Sequence, residues 1–184
     1  MFWKYSFSKA GIFAVLLAVL CFSNSVSANE FSSKVIKTYE TNSFFNLSFP
    51  PNFGEEEEEI FELVNKERRK NRLKELNWDD DLAKLARAYS RKMAKESFFS
   101  HYDRNGNSVD DRANDAKIRG WKKIGENLFY CTGFDGFSAF AVKGWMKSAG
   151  HRRNILNRNF TASGIGIAKS RQDDIYITQV FIEE

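Results

Sequence analysis

The sequence predicts a single α+β domain that follows a leader and a tether. A chain of 184 residues is within the range of one domain with short extensions. Its 42% of hydrophobic residues supply enough apolar side chains for a core, which excludes a wholly disordered chain. The predicted helices and strands do not alternate strictly, so the pattern favours helices mixed with an antiparallel sheet.

Composition excludes several other classes of protein. Two cysteines can form neither a disulfide-dense scaffold nor a four-cysteine zinc site. The net charge of +4 is small for this length, and the sequence carries no basic stripe with interleaved aromatic residues. We therefore expect no nucleic-acid partner.

Residues 1–28 are typical of a secretory signal peptide. A positively charged start precedes an apolar run over Ala10–Phe22, which is too short to span a bilayer, and small residues suit cleavage after Ala28. A lipid anchor on Cys21 is the alternative, although Leu20 stands where lipoprotein signals usually carry a small residue. In both cases we expect the domain to work outside the cytoplasm, either secreted or attached to a bacterial envelope.

The tether is predicted over residues 29–54, which are rich in Ser, Asn and Phe, and the folded domain over 55–184. Glu55–Glu59 opens the first helix, because acidic side chains are stabilised at the positive end of a helix dipole. That helix runs to about Arg69. We expect its acidic start to be solvated rather than to bind a cation.

The second helix is predicted from about Asp80 to Glu96, with Asp79 as its N-cap or Asp80 in that role. Ser108 and Asp111 form a capping box for a short third helix that ends near Gly120. The core face of the second helix consists of apolar residues at helical spacing: Leu82, Leu85, Ala86, Tyr89 and Met93.

Strands are predicted over Ile124–Tyr130, Gly164–Ala168 and Ile175–Ile182, and the last two form a hairpin. Gly164 and Gly166 would allow a close backbone approach or a bulge. A fourth helix is predicted over about 136–148, with Asp135 as its cap. Its inward residues are Phe137, Phe140, Ala141, Trp145 and Met146.

The residues that could carry chemistry are few. His101 and His151, the two histidines of the chain, lie beside polar motifs rather than within apolar stripes. Histidine is the usual acid–base group and a common metal ligand near neutral pH. Glu126 lies inside an otherwise apolar strand, where a carboxylate must find a partner. No nucleophile motif surrounds Ser148, so we interpret it as a helix-end residue.

Several short motifs follow one another in a fixed order between Ile60 and Phe181. They are Leu63-Val64-Asn65 with Arg68, Leu76-Asn77-Trp78, Phe99-Ser100-His101, Gly125-Glu126-Asn127, Trp145-Met146-Lys147-Ser148, Gly150-His151-Arg152, Asn154-Ile155-Leu156, Gly164-Ile165-Gly166 and Gln179-Val180-Phe181. Each motif alone is weak. The ordered set resembles the CAP superfamily (the SCP-like extracellular domain of cysteine-rich secretory, antigen five and pathogenesis-related proteins), most closely its short bacterial members.

The resemblance implies a three-layer α-β-α sandwich with a central antiparallel sheet. It also implies a surface cleft that gathers His101, Glu126 and His151, while Ser148 occupies the position of the family's second acid. Three protein ligands plus water form a workable zinc set, so a divalent metal such as zinc stays open as a cofactor. The missing acid would lower its affinity.

Three further residues of these motifs are expected to support the cleft rather than to bind a ligand. Asn127 would tie loop backbone through its side chain, and Arg112 and Asn154 would brace the cleft loops.

The resemblance favours a non-catalytic module that binds a lipid, glycan or protein at the cell surface. The missing second acid and the lack of a clear nucleophile support that interpretation over an enzyme. The alternative is a metal-dependent hydrolase or protease. It would use a metal-bound water at His101 and His151, with Glu126 as third ligand or general base. The sequence leaves the ligand and the oligomeric state open.

Overall fold

The structure, a computed structural model, describes residues 52–133 and 135–184. These residues contain five helices and four strands. In chain order they are α1 (Gly54–Lys70), β1 (Asn77–Trp78), α2 (Asp80–Glu96), α3 (Val109–Asp115), β2 (Lys123–Thr132), α4 (Phe137–Lys147), α5 (Ala149–Ile155), β3 (Ala162–Lys169) and β4 (Asp174–Glu183). The predicted signal peptide, the anchor on Cys21 and nearly all of the tether lie outside the described residues. No described helix has the length and apolar character that a membrane crossing requires.

The sheet has the strand order β1-β3-β4-β2. The central strand β4 pairs antiparallel with β3 and with β2, and its pairing with β2 runs from Lys123 opposite Glu183 to Thr132 opposite Asp174. The edge strand β1 was not predicted and pairs parallel with β3 over two residues. It is this short because the chain enters α2 directly after Trp78.

The two faces of the sheet bury different helices, because side chains of a strand alternate between faces. Ile177 and Phe181 of β4 lie in one core with α1, α4 and α5, whereas Tyr176 and Val180 lie with α2. Helices therefore cover both faces of the sheet. The predicted α+β class and the α-β-α layering are confirmed.

Glycines in β3 bring the backbone of α2 onto the sheet. A Cβ atom on Gly164 would lie 2.1 Å from the Ala83 nitrogen, and one on Gly166 would lie 1.9 Å from the Arg87 nitrogen. No side chain fits at either position. The close approach expected from the sequence is confirmed, and β3 has no bulge against β4 at these residues.

Helix α2 has the predicted limits and the predicted cap. Asp79 Oδ1 accepts hydrogen bonds from the backbone N–H groups of Asp81 (2.9 Å) and Leu82 (2.8 Å). The core-facing residues predicted for α2 are all buried. The capping box of α3 is also confirmed, since the Ser108 N–H donates to Asp111 Oδ2 over 2.9 Å.

Three predictions about the next elements were wrong. Helix α3 ends at Asp115 rather than near Gly120, because Lys117 adopts a left-handed φ of 60° that stops the helix. Helix α4 is capped by Gly136 at φ 80°, and the Asp135 side chain makes no cap bond. Phe140, predicted to point inward, is 54% exposed.

Helix α5 was not predicted. Ser148, extended at φ −86° and ψ 123°, ends α4 and begins α5. The residues of α5 give no amphipathic signal, because Ile155 is its one buried residue.

Two charged residues of α1 are buried and tie it to the domain. Glu57 is 2% exposed, pairs with Arg87 over 2.5 Å and accepts the N–H of Ile167 over 3.0 Å. The expectation of a fully solvated acidic start was therefore wrong for Glu57. Arg68 donates to the carbonyls of Ile155 and of the segment after α5, and burial lowers its pKa.

Candidate binding cleft

Glu126 lies at the centre of the candidate cleft. Its strand, β2, is at the edge of the sheet, and its side chain is only 3% exposed. One carboxylate oxygen lies 2.7 Å from His101 Nδ1, and the other accepts a hydrogen bond from Arg112 Nη2 over 2.5 Å. Both oxygens of this buried carboxylate are therefore bonded. A fixed cation and a ring nitrogen stabilise its charge.

Arg112, from α3, joins the His101 loop to β2. Its guanidinium donates to the carbonyls of His101 (3.1 Å) and Asn107 (2.9 Å) as well as to Glu126. Its Cζ atom lies 3.5 Å from the centre of the Tyr89 ring, a cation–π contact. Burial raises the pKa of Tyr89 to about 12, so the ring stays neutral.

Asp103 fixes the loop that carries His101. Its Oδ1 accepts the N–H groups of Asn105 (2.8 Å) and Asn107 (2.9 Å), and Lys92 Nζ lies 2.7 Å from its Oδ2. The bond from Lys92, followed by that from the Asn107 backbone, lowers the pKa of Asp103 to about 2. The loop therefore keeps its ion pair throughout the neutral range.

The two histidines face each other across the cleft. Their ring centres are 6.4 Å apart, and the His101 side chain is 51% exposed. When Nδ1 of His101 carries the proton, it donates to Glu126 and leaves Nε2 as an acceptor for a ligand. Burial, followed by repulsion from His101, lowers the pKa of His151 and so favours its neutral form.

Two asparagines connect α5 to β2. Asn154 Nδ2 donates to the Glu126 carbonyl and to Asn127 Oδ1, each over 3.0 Å. Asn127 Nδ2 donates to the carbonyl of His151 over 3.2 Å. The structure thus brings together His101, Glu126 and His151 with all three residues expected to support them.

Ser148 lies at the junction of α4 and α5. Its backbone N–H donates to the carbonyls of Gly144 (3.2 Å) and Trp145 (3.1 Å). Within residues 52–133 and 135–184, no hydrogen bond joins its side chain to either histidine. The arrangement therefore does not form a serine–histidine pair.

The donor set does not fit a three-ligand zinc site. Among the described residues, no three His, Cys, Asp or Glu side chains are placed to bind one metal ion together. Glu126 already bonds His101 and Arg112, which leaves two imidazoles, whereas catalytic zinc sites use three protein ligands. We derive no chemical step through a metal.

Exposed aromatic residues beside His101 were not predicted as part of the site. Phe99, Tyr102 and Tyr130 are 50%, 61% and 44% exposed, and the Phe99 and Tyr130 rings lie 5.9 Å apart. Tyr130 is four residues after Glu126 on β2, so both point to the same face. That alternation is the sequence signal that could have placed Tyr130 near the cleft.

The motifs and the geometry agree with one protein family. A model of the cysteine-rich secretory protein family, CAP, matches residues 61–181. This match covers more than half of the chain and includes every residue of the cleft described above. The chain therefore belongs to the CAP family.

Similar proteins come from several bacteria. The uncharacterized protein YkwD of Bacillus subtilis (strain 168) is 38% identical over 123 residues, which are 67% of this chain and 46% of YkwD. An extracellular protein with an SCP domain from Bacillus anthracis is 33% identical with a TM-score of 0.59, over 70% of this chain and 40% of that one. The chain thus spans less than half the length of both relatives.

A further solved structure shares the fold. An outer surface protein of Borrelia burgdorferi is 20% identical with a TM-score of 0.66, and the match covers 74% of this chain and 98% of that one. At this identity the likeness supports the architecture alone.

Proposed function

We propose that this CAP domain is a non-catalytic binding module that works outside the cytoplasm and takes a lipid, glycan or protein ligand at the cleft between His101 and His151. The observation that carries the proposal is the bonding of Glu126. Both of its oxygens are engaged, by His101 and by Arg112. Glu126 therefore holds the shape of the cleft.

A hydrolase would need a carboxylate that can accept a proton or bind a metal. Arg112 holds one oxygen of Glu126 over 2.5 Å, and its own side chain is only 10% exposed. Moving Glu126 to another partner would leave this guanidinium buried without its counter-charge, which is costly. The position of the family's second acid, Ser148, supplies no replacement. These features favour binding over hydrolysis.

The rim of the cleft offers a surface suited to binding. Phe99 and Tyr130 present tilted aromatic rings, and the half-exposed His101 adds a polar ring nitrogen beside them. Aromatic side chains give large contact areas at low entropic cost, and Tyr adds a hydrogen-bonding group. A ligand with a flat apolar face and a hydrogen-bond donor would use both parts of this surface.

The proposed location rests on the leader and on a relative. Residues 1–28 have the pattern of a signal peptide, and the Bacillus anthracis relative is an extracellular protein. Free secretion is the simpler arrangement. A lipid anchor on Cys21 would instead hold the domain at the envelope.

A panel of immobilised lipids, envelope glycans and surface proteins tests the proposal. The mature chain is compared with Phe99→Ala, Tyr130→Ala and, as a matched control, Phe140→Ala, whose ring is equally exposed and packs on Phe129. We expect at least one ligand of the panel to bind about tenfold more weakly to Phe99→Ala and to Tyr130→Ala, because each variant loses an aromatic anchor. Its affinity for Phe140→Ala should be unchanged. Peptide or ester hydrolysis that is lost with chelator and in His101→Ala would contradict the proposal and establish the hydrolase.

A further inference from the structure

A second surface, on α2 and the end of β3, carries a row of basic side chains. Arg87, Arg91 and Lys95 follow one another at intervals of four residues on α2, so they lie on one face of the helix. Lys169 at the end of β3 and Arg171 in the following turn flank the same region. The helix places the three side chains of α2 in a row, and its packing on β3 brings Lys169 and Arg171 next to them.

These side chains line two adjoining cavities of about 400 and 630 Å³, which share Arg91, Ala168 and Lys169. We call the two together the basic groove. Its first part lies next to Glu57 and Arg87, and its second next to Lys95 and the turn after β3. Ser97, Ser170 and Gln172 add neutral hydrogen-bonding groups to the second part.

The charge of the basic groove is largely uncompensated. Among the described residues that line it, Glu57 is the one carboxylate, and it is occupied by Arg87 and the Ile167 N–H. Lys169 pairs with the exposed Asp173 over 2.7 Å. Across the described residues, Arg91, Lys95 and Arg171 take part in no ion pair, and all three are exposed. Such an accumulation of like charge in a concave surface attracts anions.

We propose that the basic groove binds a linear polyphosphate chain. Basic side chains four residues apart on a helix are separated by about 6 Å along its axis, so the unpaired cations of Arg91 and Lys95 follow one another at that interval. A phosphate chain repeats anions in the same way. Arginine binds phosphate through paired N–H groups, and the Ser97 and Gln172 side chains can donate to the remaining oxygens.

The shape of the groove favours a chain over a membrane surface. A peripheral membrane site combines basic residues with protruding apolar side chains that enter the lipid. The groove is instead concave, and its apolar lining residues do not protrude. Phe53 is partly buried, and Ile167, Ala94 and Ala168 are buried. The groove also lies at β3, on the other side of β4 from β2 and the candidate cleft. The two sites can therefore be tested separately.

Titration of long-chain inorganic polyphosphate into the full chain tests the proposal. The combined variant Arg91→Gln, Lys95→Gln, Arg171→Gln is compared with Lys66→Gln, Arg72→Gln, Lys74→Gln, which removes the same charge from exposed residues outside the groove. We expect the apparent Kd to rise about tenfold or more in the groove variant and less than about twofold in the control. The slope of log Kd against log salt concentration should fall by about 2 in the groove variant, because three phosphate contacts are lost. Unchanged thermal unfolding shows that both variants are folded.

Four outcomes would overturn the proposal. Equal losses in both variants would indicate a general effect of net charge. Orthophosphate that binds as tightly as polyphosphate would indicate a site for a single anion. Polyglutamate that binds equally well would exclude selectivity for phosphate, and binding confined to vesicles with phosphatidylglycerol would indicate a lipid surface.

Discussion

The candidate cleft and the basic groove are held together in different ways. The cleft depends on polar side chains from distant segments, since Arg112 of α3 joins the His101 loop to Glu126 of β2. The groove rests on backbone packing, since Gly164 and Gly166 let α2 lie directly on β3. In the cleft the buried carboxylate has its partners, whereas Arg91, Lys95 and Arg171 of the groove form no ion pair with any residue that the structure describes. The bonded charges of the cleft hold its side chains in place, whereas the unpaired charges of the basic groove suit it to attract an anion.

The largest expected effect comes from the packing beneath the groove. Gly164→Ala with Gly166→Ala would place two methyl groups within about 2 Å of the α2 backbone. These contacts can be relieved only if α2 moves away from β3. Because two overpacked sites are created at once, we expect a loss of more than about 5 kcal/mol in the free energy of unfolding, and failure to fold at 37 °C. Denaturant unfolding followed by circular dichroism measures it.

Gly150→Ala is the matched control for the glycine pair. A Cβ atom there meets nothing within 4 Å, and the residue lies in α5. Alanine should stabilise the helix by up to about 1 kcal/mol. Similar destabilisation by both changes would show that close backbone packing is not what holds α2 in place.

The second largest effect concerns the charge network of the cleft. Arg112→Gln leaves Glu126 buried without its cationic partner, and breaking a buried ion pair in this way costs about 3–5 kcal/mol. The midpoints of thermal and of denaturant unfolding should both fall, and the amide hydrogens of the His101 loop should exchange faster. Arg69→Gln, which removes one partner of the half-exposed pair with Glu75, is the control and should cost less than about 1 kcal/mol. Equal effects of the two changes would mean that Arg112 does not organise the cleft.

These two effects also show which features sequence can predict. Helix α2, its Asp79 cap and its core face follow from residues close together in the chain, and so does the capping box of α3. The burial of Glu57 depends on Arg87, which is 30 residues away, and local charge patterning predicted solvation instead. The alternation along β2 links Tyr130 to Glu126, whereas the contact between Tyr130 and Phe99 joins residues 31 apart in the chain and has no short-range signal. Helix α5 lacked a pattern altogether because it buries a single residue.

The smallest expected effect concerns pH at His151. Its pKa is lowered in the folded state, by burial and then by His101, so the unfolded chain binds the proton more readily. Stability is therefore fully present above the unfolded value near 6.5 and declines as the pH falls from there toward the lower folded value. His151→Asn should remove this decline below about pH 6.5. An unchanged pH profile of the midpoint of unfolding would show that His151 is not the group responsible.

The most direct test is calorimetric titration of zinc into residues 29–184 at neutral pH, with His101→Ala and Glu126→Ala beside it. We predict no stoichiometric zinc binding at micromolar concentration, because Glu126 is bonded to His101 and Arg112 and two imidazoles alone form a weak site. One zinc ion bound per chain, and lost in both variants, would contradict it. The cleft would then be a metal centre, and the case for a binding module over a hydrolase would fail.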